Sequence, residues 1–105
     1  MKFDEYQQKA WSFALMPAKT TQYLIPGLAG EVGELCSLFA KAVRDGNGTP
    51  VQYDAVKKEL GDVLWFVATI ALYHGMSLDE IAEANIEKLQ SRKDRNVISG
   101  SGDNR

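Results

Sequence analysis

The residues with chemistry to offer are four carboxylates in two pairs. Glu31 and Glu34 sit in Gly30-Glu31-Val32-Gly33-Glu34-Leu35, and Glu59 and Asp62 sit in Glu59-Leu60-Gly61-Asp62. Both pairs interrupt an apolar pattern of helical period. On a helix, residues three apart lie about 60° apart around the axis and about 4.5 Å along it, so each pair can aim at one point. A lone Glu on a helix shoulder is ordinarily solvated surface. Four acids gathered on two packed helices repel one another unless a cation sits among them. An oxygen-only donor set suits a hard ion, Mg²⁺ or Mn²⁺, better than zinc.

Other chemistries lack their parts. The single histidine, His74, stands at an expected helix end, where it complements the negative end of the dipole. A di-iron bundle needs Glu-x-x-His on two helices, and no such string exists here. No Ser-His-Asp or Cys-His arrangement can be built around His74. The one cysteine, Cys36, falls mid-helix and cannot form an intramolecular disulfide, which reads as a structural thiol in a reducing compartment. Net charge is −2, which gives no global attraction to a nucleic acid polymer or an acidic membrane. The longest apolar run, Val63 to Tyr73, is too short to cross a bilayer. Met1-Lys2-Phe3-Asp4 followed by polar residues does not read as a signal peptide, and a cytoplasmic location is expected.

The elements that must position the acids are four helices. At 105 residues the chain reads as one all-α domain over residues 1–95, with a loop-like tail over 96–105. The first helix spans about 3–15, with Phe3, Tyr6 or Gln7, Ala10, Trp11 and Ala14 at helical spacing. A loop with Pro17 follows. The second helix starts between Leu24 and Gly27, with Pro26 in its first turn, and runs to about Asp45. Its apolar stripe is Leu28, Val32, Leu35, Phe39 and Val43, with Glu31 and Glu34 on the shoulder. Gly30 and Gly33 each cost about 1 kcal/mol relative to Ala. They permit close approach by a backbone or a ligand.

Asp45-Gly46-Asn47-Gly48-Thr49-Pro50 breaks the chain, with Gly46 expected in the left-handed position. An antiparallel hairpin between the second and third helices follows. The third helix, about 52–74, is apolar nearly all round in its second half. One small core cannot cover every face of it, so a subunit interface is expected. Ser77-Leu78-Asp79-Glu80 is a capping box that opens the fourth helix, which runs to about Lys93. Leu78, Ile81, Ala82, Asn85 and Leu89 mark its inner side, with Ile86 as a further candidate.

Three lesser features bear on ligands. Asn85, Lys88 and Arg92 form one polar ridge on the fourth helix. Taken alone it is an exposed face, but beside a metal it becomes a partner for polyphosphate. Lys41 and Arg44 are further cations, placed where they also complement a helix dipole. Trp11, Phe13 and Tyr23 could offer a flat surface to a base. Gly100-Ser101-Gly102 could offer backbone N–H groups to phosphate, although no P-loop Lys follows.

In order and spacing, residues 24–93 resemble the MazG-like branch of the all-α nucleoside triphosphate pyrophosphohydrolases. The most specific strings are Leu-Ala-Gly-Glu-Val-Gly-Glu-Leu and Lys-Glu-Leu-Gly-Asp-Val-Leu, followed by Asn85-x-x-Lys88. The fuller family motif opens with two adjacent glutamates, and here the first of these positions is Gly30. The resemblance implies a four-helix unit that assembles as a homodimer or homotetramer. It also implies Mg²⁺-dependent hydrolysis of a nucleoside or deoxynucleoside triphosphate to monophosphate and pyrophosphate, which clears surplus or non-standard nucleotides. Glu31, Glu34, Glu59 and Asp62 would hold metal. Asn85, Lys88 and Arg92 would meet phosphate or sugar, and Trp11 would meet the base. Glu34, or Glu31 in its place, would accept the proton of the attacking water. Two other readings stand beside this one: a phosphoribosyl-ATP pyrophosphohydrolase, which shares the acidic pattern, and a non-catalytic helical module that dimerises and binds a partner.

Overall fold

The chain is all-helical in a computed structural model that describes residues 1–46, 48 and 50–105. Its helices are α1 (Phe3–Ser12), α2 (Thr21–Asp45), α3 (Tyr53–Tyr73) and α4 (Leu78–Asp94), with a 3₁₀ turn at Met16–Ala18. Asn47 and Thr49, in the expected turn between α2 and α3, lie outside the described residues.

Local signals explain most of the boundaries. Ser77 Oγ accepts from Glu80 N–H and Glu80 Oε1 accepts from Ser77 N–H, the expected capping box. At the end of α3, Gly75 turns left-handed (φ 77°). Its N–H reaches Leu72 O, and Met76 N–H reaches Ala71 O. These two bonds satisfy the last carbonyls of α3 and reverse the chain.

Three boundary expectations need correction. α2 starts at Thr21, a turn earlier than Pro26 implied, because the Thr20 side chain caps it by accepting from Tyr23 N–H. Pro26 therefore lies inside the helix, where it withholds one ladder donor. Gly46 is not left-handed; at φ −90° it is the cap residue itself, and Gly48 carries the positive φ. α1 is shorter than expected, because Phe13 N–H and Ala14 N–H bond three residues back and tighten the chain out of the helix.

α2 and α3 form the expected antiparallel hairpin. Gly27 lies against Phe66, and Tyr23 stacks near the same ring at 6.1 Å, while Glu31 meets Glu59 further along. Gly27 is the glycine that the packing requires: a Cβ there would overlap the Phe66 ring. α1 lies on the other side of α3. Trp65 Nε1 donates to Ala10 O at 3.0 Å, and the buried Gln7 joins three elements. Gln7 Nε2 donates to Ala68 O and Met76 O, and Gln7 Oε1 accepts from Leu78 N–H at the start of α4. A buried amide with partners at both ends fixes a unique arrangement. The small core comprises Ala10, Ala68, Ala71 and Leu78, with Tyr6, Trp65 and Ile81 against it.

Much apolar surface stays outside that core. Val32, Phe39 and Val43 of the expected α2 stripe are 42%, 50% and 87% exposed. The radius of gyration is 16.8 Å, against about 13 Å for a compact chain of this length. Gly27→Ala should lower stability to urea by about 1–3 kcal/mol, although Ala is the better helix former. The ring overlap decides the sign. An unchanged or raised midpoint would mean that α2 and α3 do not meet this closely.

Candidate metal centre

Glu31 and Glu34 come from the middle of α2, and Glu59 from the second turn of α3. One carboxylate oxygen of each lies within 4.8 Å of the others. The hairpin brings the two pairs together because Glu31 and Glu59 face across the same seam that Gly27 and Phe66 close one to two turns away. Glu31 and Glu59 are half-buried and Glu34 is exposed. The Oε2 atoms of Glu31 and Glu59 are each buried without a hydrogen-bond partner.

The charges are uncompensated. Among the described residues the salt bridges are Arg44–Asp45 and Arg92–Asp103, and neither reaches this cluster. Burial raises the pKa of Glu31, and the neighbouring charges of Glu34, Asp62 and Glu59 push it further up. Burial likewise raises Glu59, followed by Glu34 and Asp62. Asp62 is exposed and stands outside the tight trio, yet its charge is felt by Glu31, by Glu59 and by the half-buried Tyr6 phenol. The folded chain therefore binds protons more tightly here than the unfolded chain does. The cluster costs stability above the raised pKa values, and the cost fades as pH falls through them.

Orphaned buried oxygens, three converging carboxylates and no basic partner fit a divalent cation. All donors are oxygen, which favours Mg²⁺ or Mn²⁺ over softer metals. Glu31, Glu34 and Glu59 would hold it, with Asp62 at the edge.

The family model for the MazG nucleotide pyrophosphohydrolase domain matches residues 19–97. The chain belongs to this family. The matched span takes in all four helices except α1, and so contains both acidic pairs. The chain is also similar to the Gene 37 protein of Mycobacterium phage L5, 41% identical over an alignment of 114 positions that covers 100% of both chains. No solved structure matches it. No helix among the described residues is long and apolar enough to cross a membrane.

The remaining expected ligand contacts are scattered in this MazG chain. Asn85 and Lys88 are exposed on α4, and α4 touches α1 and α3 but not α2. Asn85 edges an apolar groove of about 280 Å³ with Phe3, Leu64, Val67, Leu78, Ile81 and Ala82. Arg92 is buried, only 6% exposed, beneath the C-terminal tail. Trp11 is half-buried, with the Lys19 ammonium 5.2 Å from its ring centroid.

A cavity of about 270 Å³ is lined by Phe13, Ala14, Leu15, Pro17, Ala18, Tyr23 and Trp65. Phe13 and Tyr23 line this cavity as the sequence hinted, but its third aromatic wall is Trp65 rather than Trp11. Trp65 lies in the apolar second half of α3; its Nε1 donates to Ala10 O while its ring forms a wall of this cavity.

In metal-free protein, Glu31→Gln should raise the thermal midpoint by removing one repelling charge. Mg²⁺ or Mn²⁺ at about a hundred times its Kd should stabilise the wild type by about 2.7 kcal/mol and the variant far less. Equal stabilisation of both proteins would show that Glu31 is not a ligand.

Proposed function

We propose that the chain hydrolyses nucleoside or deoxynucleoside triphosphates to the monophosphate and pyrophosphate at the Glu31–Glu34–Glu59 cluster, with Mg²⁺ as the resident ion and Mn²⁺ as a substitute. The observation that carries this reading is the convergence of three carboxylates with two buried, unpaired oxygens. Family membership supplies the reaction class. The bound ion supplies charge neutralisation and a lowered water pKa, the general needs of phosphoryl transfer.

The protein side chains do the rest. Glu34, the exposed member, accepts the proton of the attacking water through an oxygen left free of the metal, with Glu31 as the alternative. The water oxygen bonds to the α-phosphorus, the α–β bridging bond breaks, and pyrophosphate leaves with the bridging electrons. The base sits in the cavity of Phe13, Tyr23 and Trp65. Tyr23 precedes Glu31 by eight residues on α2, about 12 Å along the axis at 1.5 Å per residue. A sugar and its phosphates can span that distance. The walls are apolar and aromatic, so stacking and shape select the base more than hydrogen bonds do.

Asn85, Lys88 and Arg92 serve the phosphates or sugar. Because α4 does not touch α2 within one chain, a second copy is the natural way to bring this ridge to an acidic cluster. The exposed Val32, Phe39, Leu60 and Val67 give that copy an apolar surface to cover. The working unit is thus a homodimer or homotetramer.

A panel of ribo- and deoxyribonucleoside triphosphates, with Mg²⁺ and purified protein, should release pyrophosphate from at least one member. Replacing Glu31, Glu34, Glu59 and Asp62 together with the amides should remove that release by at least a thousandfold and leave helicity intact. No turnover of any nucleotide at high enzyme concentration would refute the activity. Sedimentation at micromolar concentration should give twice or four times the chain mass, and a monomer would refute the assembly.

A further inference from the structure

One group of charges outside the acidic cluster is held under tension. The second half of α4 leaves the body of the fold, and Glu83 to Ser91 are all exposed. Arg92 alone is buried there, and what buries it is the chain's own continuation. α4 ends with Asn96 in the left-handed region (φ 60°). Asn96 N–H bonds Lys93 O, and Val97 N–H bonds Arg92 O at 2.8 Å. This reversal, with positive φ at Gly100 and Gly102, folds residues 97–105 back over the last turn.

Two arginines do different work in that fold-back. Arg105 clasps the tail to itself: Nε donates to Val97 O at 3.0 Å, Nη2 to Ile98 O at 2.9 Å and Nη1 to Gly102 O at 2.6 Å. Arg95 Nη2 adds a bond to Arg105 O at 2.7 Å. Arg92 is what the clasped loop covers. Its Nη2 donates to Asp103 O at 2.9 Å and to Gly102 O at 3.5 Å. Its Nε is buried with no partner. The carboxylate in reach, Asp103 Oδ1, is 3.8 Å away on a side chain 93% exposed to water.

A buried cation answered by neutral carbonyls, with one N–H unanswered, is poorly compensated. It also shares Gly102 O with a second guanidinium, so two like charges sit side by side. A multivalent oxyanion would serve Arg92 better, because it brings formal charge and paired acceptors to the planar fork. Lys88, one turn earlier on the same side of α4 and exposed, adds a second cation for it.

The geometry points to residues 96–105 as a latch, clasped by Arg105, that covers Arg92 and gives way to a phosphate-bearing anion. The latch rests on the nucleotide reading only for the identity of that anion. Opening it turns α4 from a capped helix end into a phosphate-binding face of Lys88 and Arg92.

The test uses the full chain without divalent metal, so that neither the acidic cluster nor turnover contributes. Arg105→Gln removes the clasp and leaves Arg92 untouched; Arg105→Lys keeps the charge and loses the fork. In both, trypsin should cut after Arg92, Lys93 and Arg95 several-fold faster than in wild type. Titrated calorimetrically with inorganic pyrophosphate, both should bind three- to tenfold more tightly. Adding Arg92→Gln to either variant should abolish that gain. Pyrophosphate affinity that is unchanged or weaker in both Arg105 variants overturns the latch, whatever the proteolysis shows. So does a gain that survives the loss of Arg92. Failure here leaves the hydrolysis assay standing, and failure of that assay leaves this measurement standing.

Discussion

The constraint on which this molecule turns is electrostatic: three carboxylates are forced within a few ångströms of one another on two helices that cannot separate. Nothing basic among the described residues relieves them. Their proximity is fixed by packing rather than by attraction between them. Phe66 fills the place where Gly27 has no side chain, and Gln7 ties α1, the end of α3 and the start of α4 into one block. Hydrophobic burial and one satisfied buried amide thus hold a charge arrangement that opposes itself. Such an arrangement persists in a marginally stable chain when a ligand offsets its cost.

The second constraint is size. A chain this short has one small core, and here that core is mostly alanine with Leu78. Val32, Phe39 and Val43 of α2 and Ile86 and Leu89 of α4 are left facing out. It is this surface that the proposed assembly covers. The extended shape agrees, and so does the separation of α2 from α4. The acids belong to one face of the hairpin and the cations to another helix, so in the proposed function catalysis depends on assembly.

The two charged regions contrast in how they are compensated. The acidic cluster is open to water at Glu34 and has no basic partner among the described residues. The Arg92 region is closed by its own tail and answered by backbone oxygens. In the proposed function a nucleoside triphosphate answers both, its phosphates meeting Arg92 directly and the acidic cluster through the metal ion.

By itself the sequence determined the helices, the hairpin and the acids. Period 3.6 and the Ser77–Glu80 box are local signals, and local signals survive without tertiary context. The i,i+3 spacing of Glu31 with Glu34 set each pair on one face before any packing was known. What only the tertiary structure decided depends on partners distant in the chain. Helical spacing leaves Tyr6 and Gln7 as alternatives on the inner face of α1, and only the acceptors at Ala68 and Met76 show Gln7 as the buried one. Gly27, not Gly30 or Gly33, is the glycine that packing within this chain requires, because only there does a ring occupy the space of a Cβ. Arg92 reads as part of an exposed ridge because helical spacing says nothing of a tail that folds back. Asp62 shares a helix face with Glu59 yet stays outside the tight trio, because the distance across two helices is set by how they pack and not by the spacing along either one.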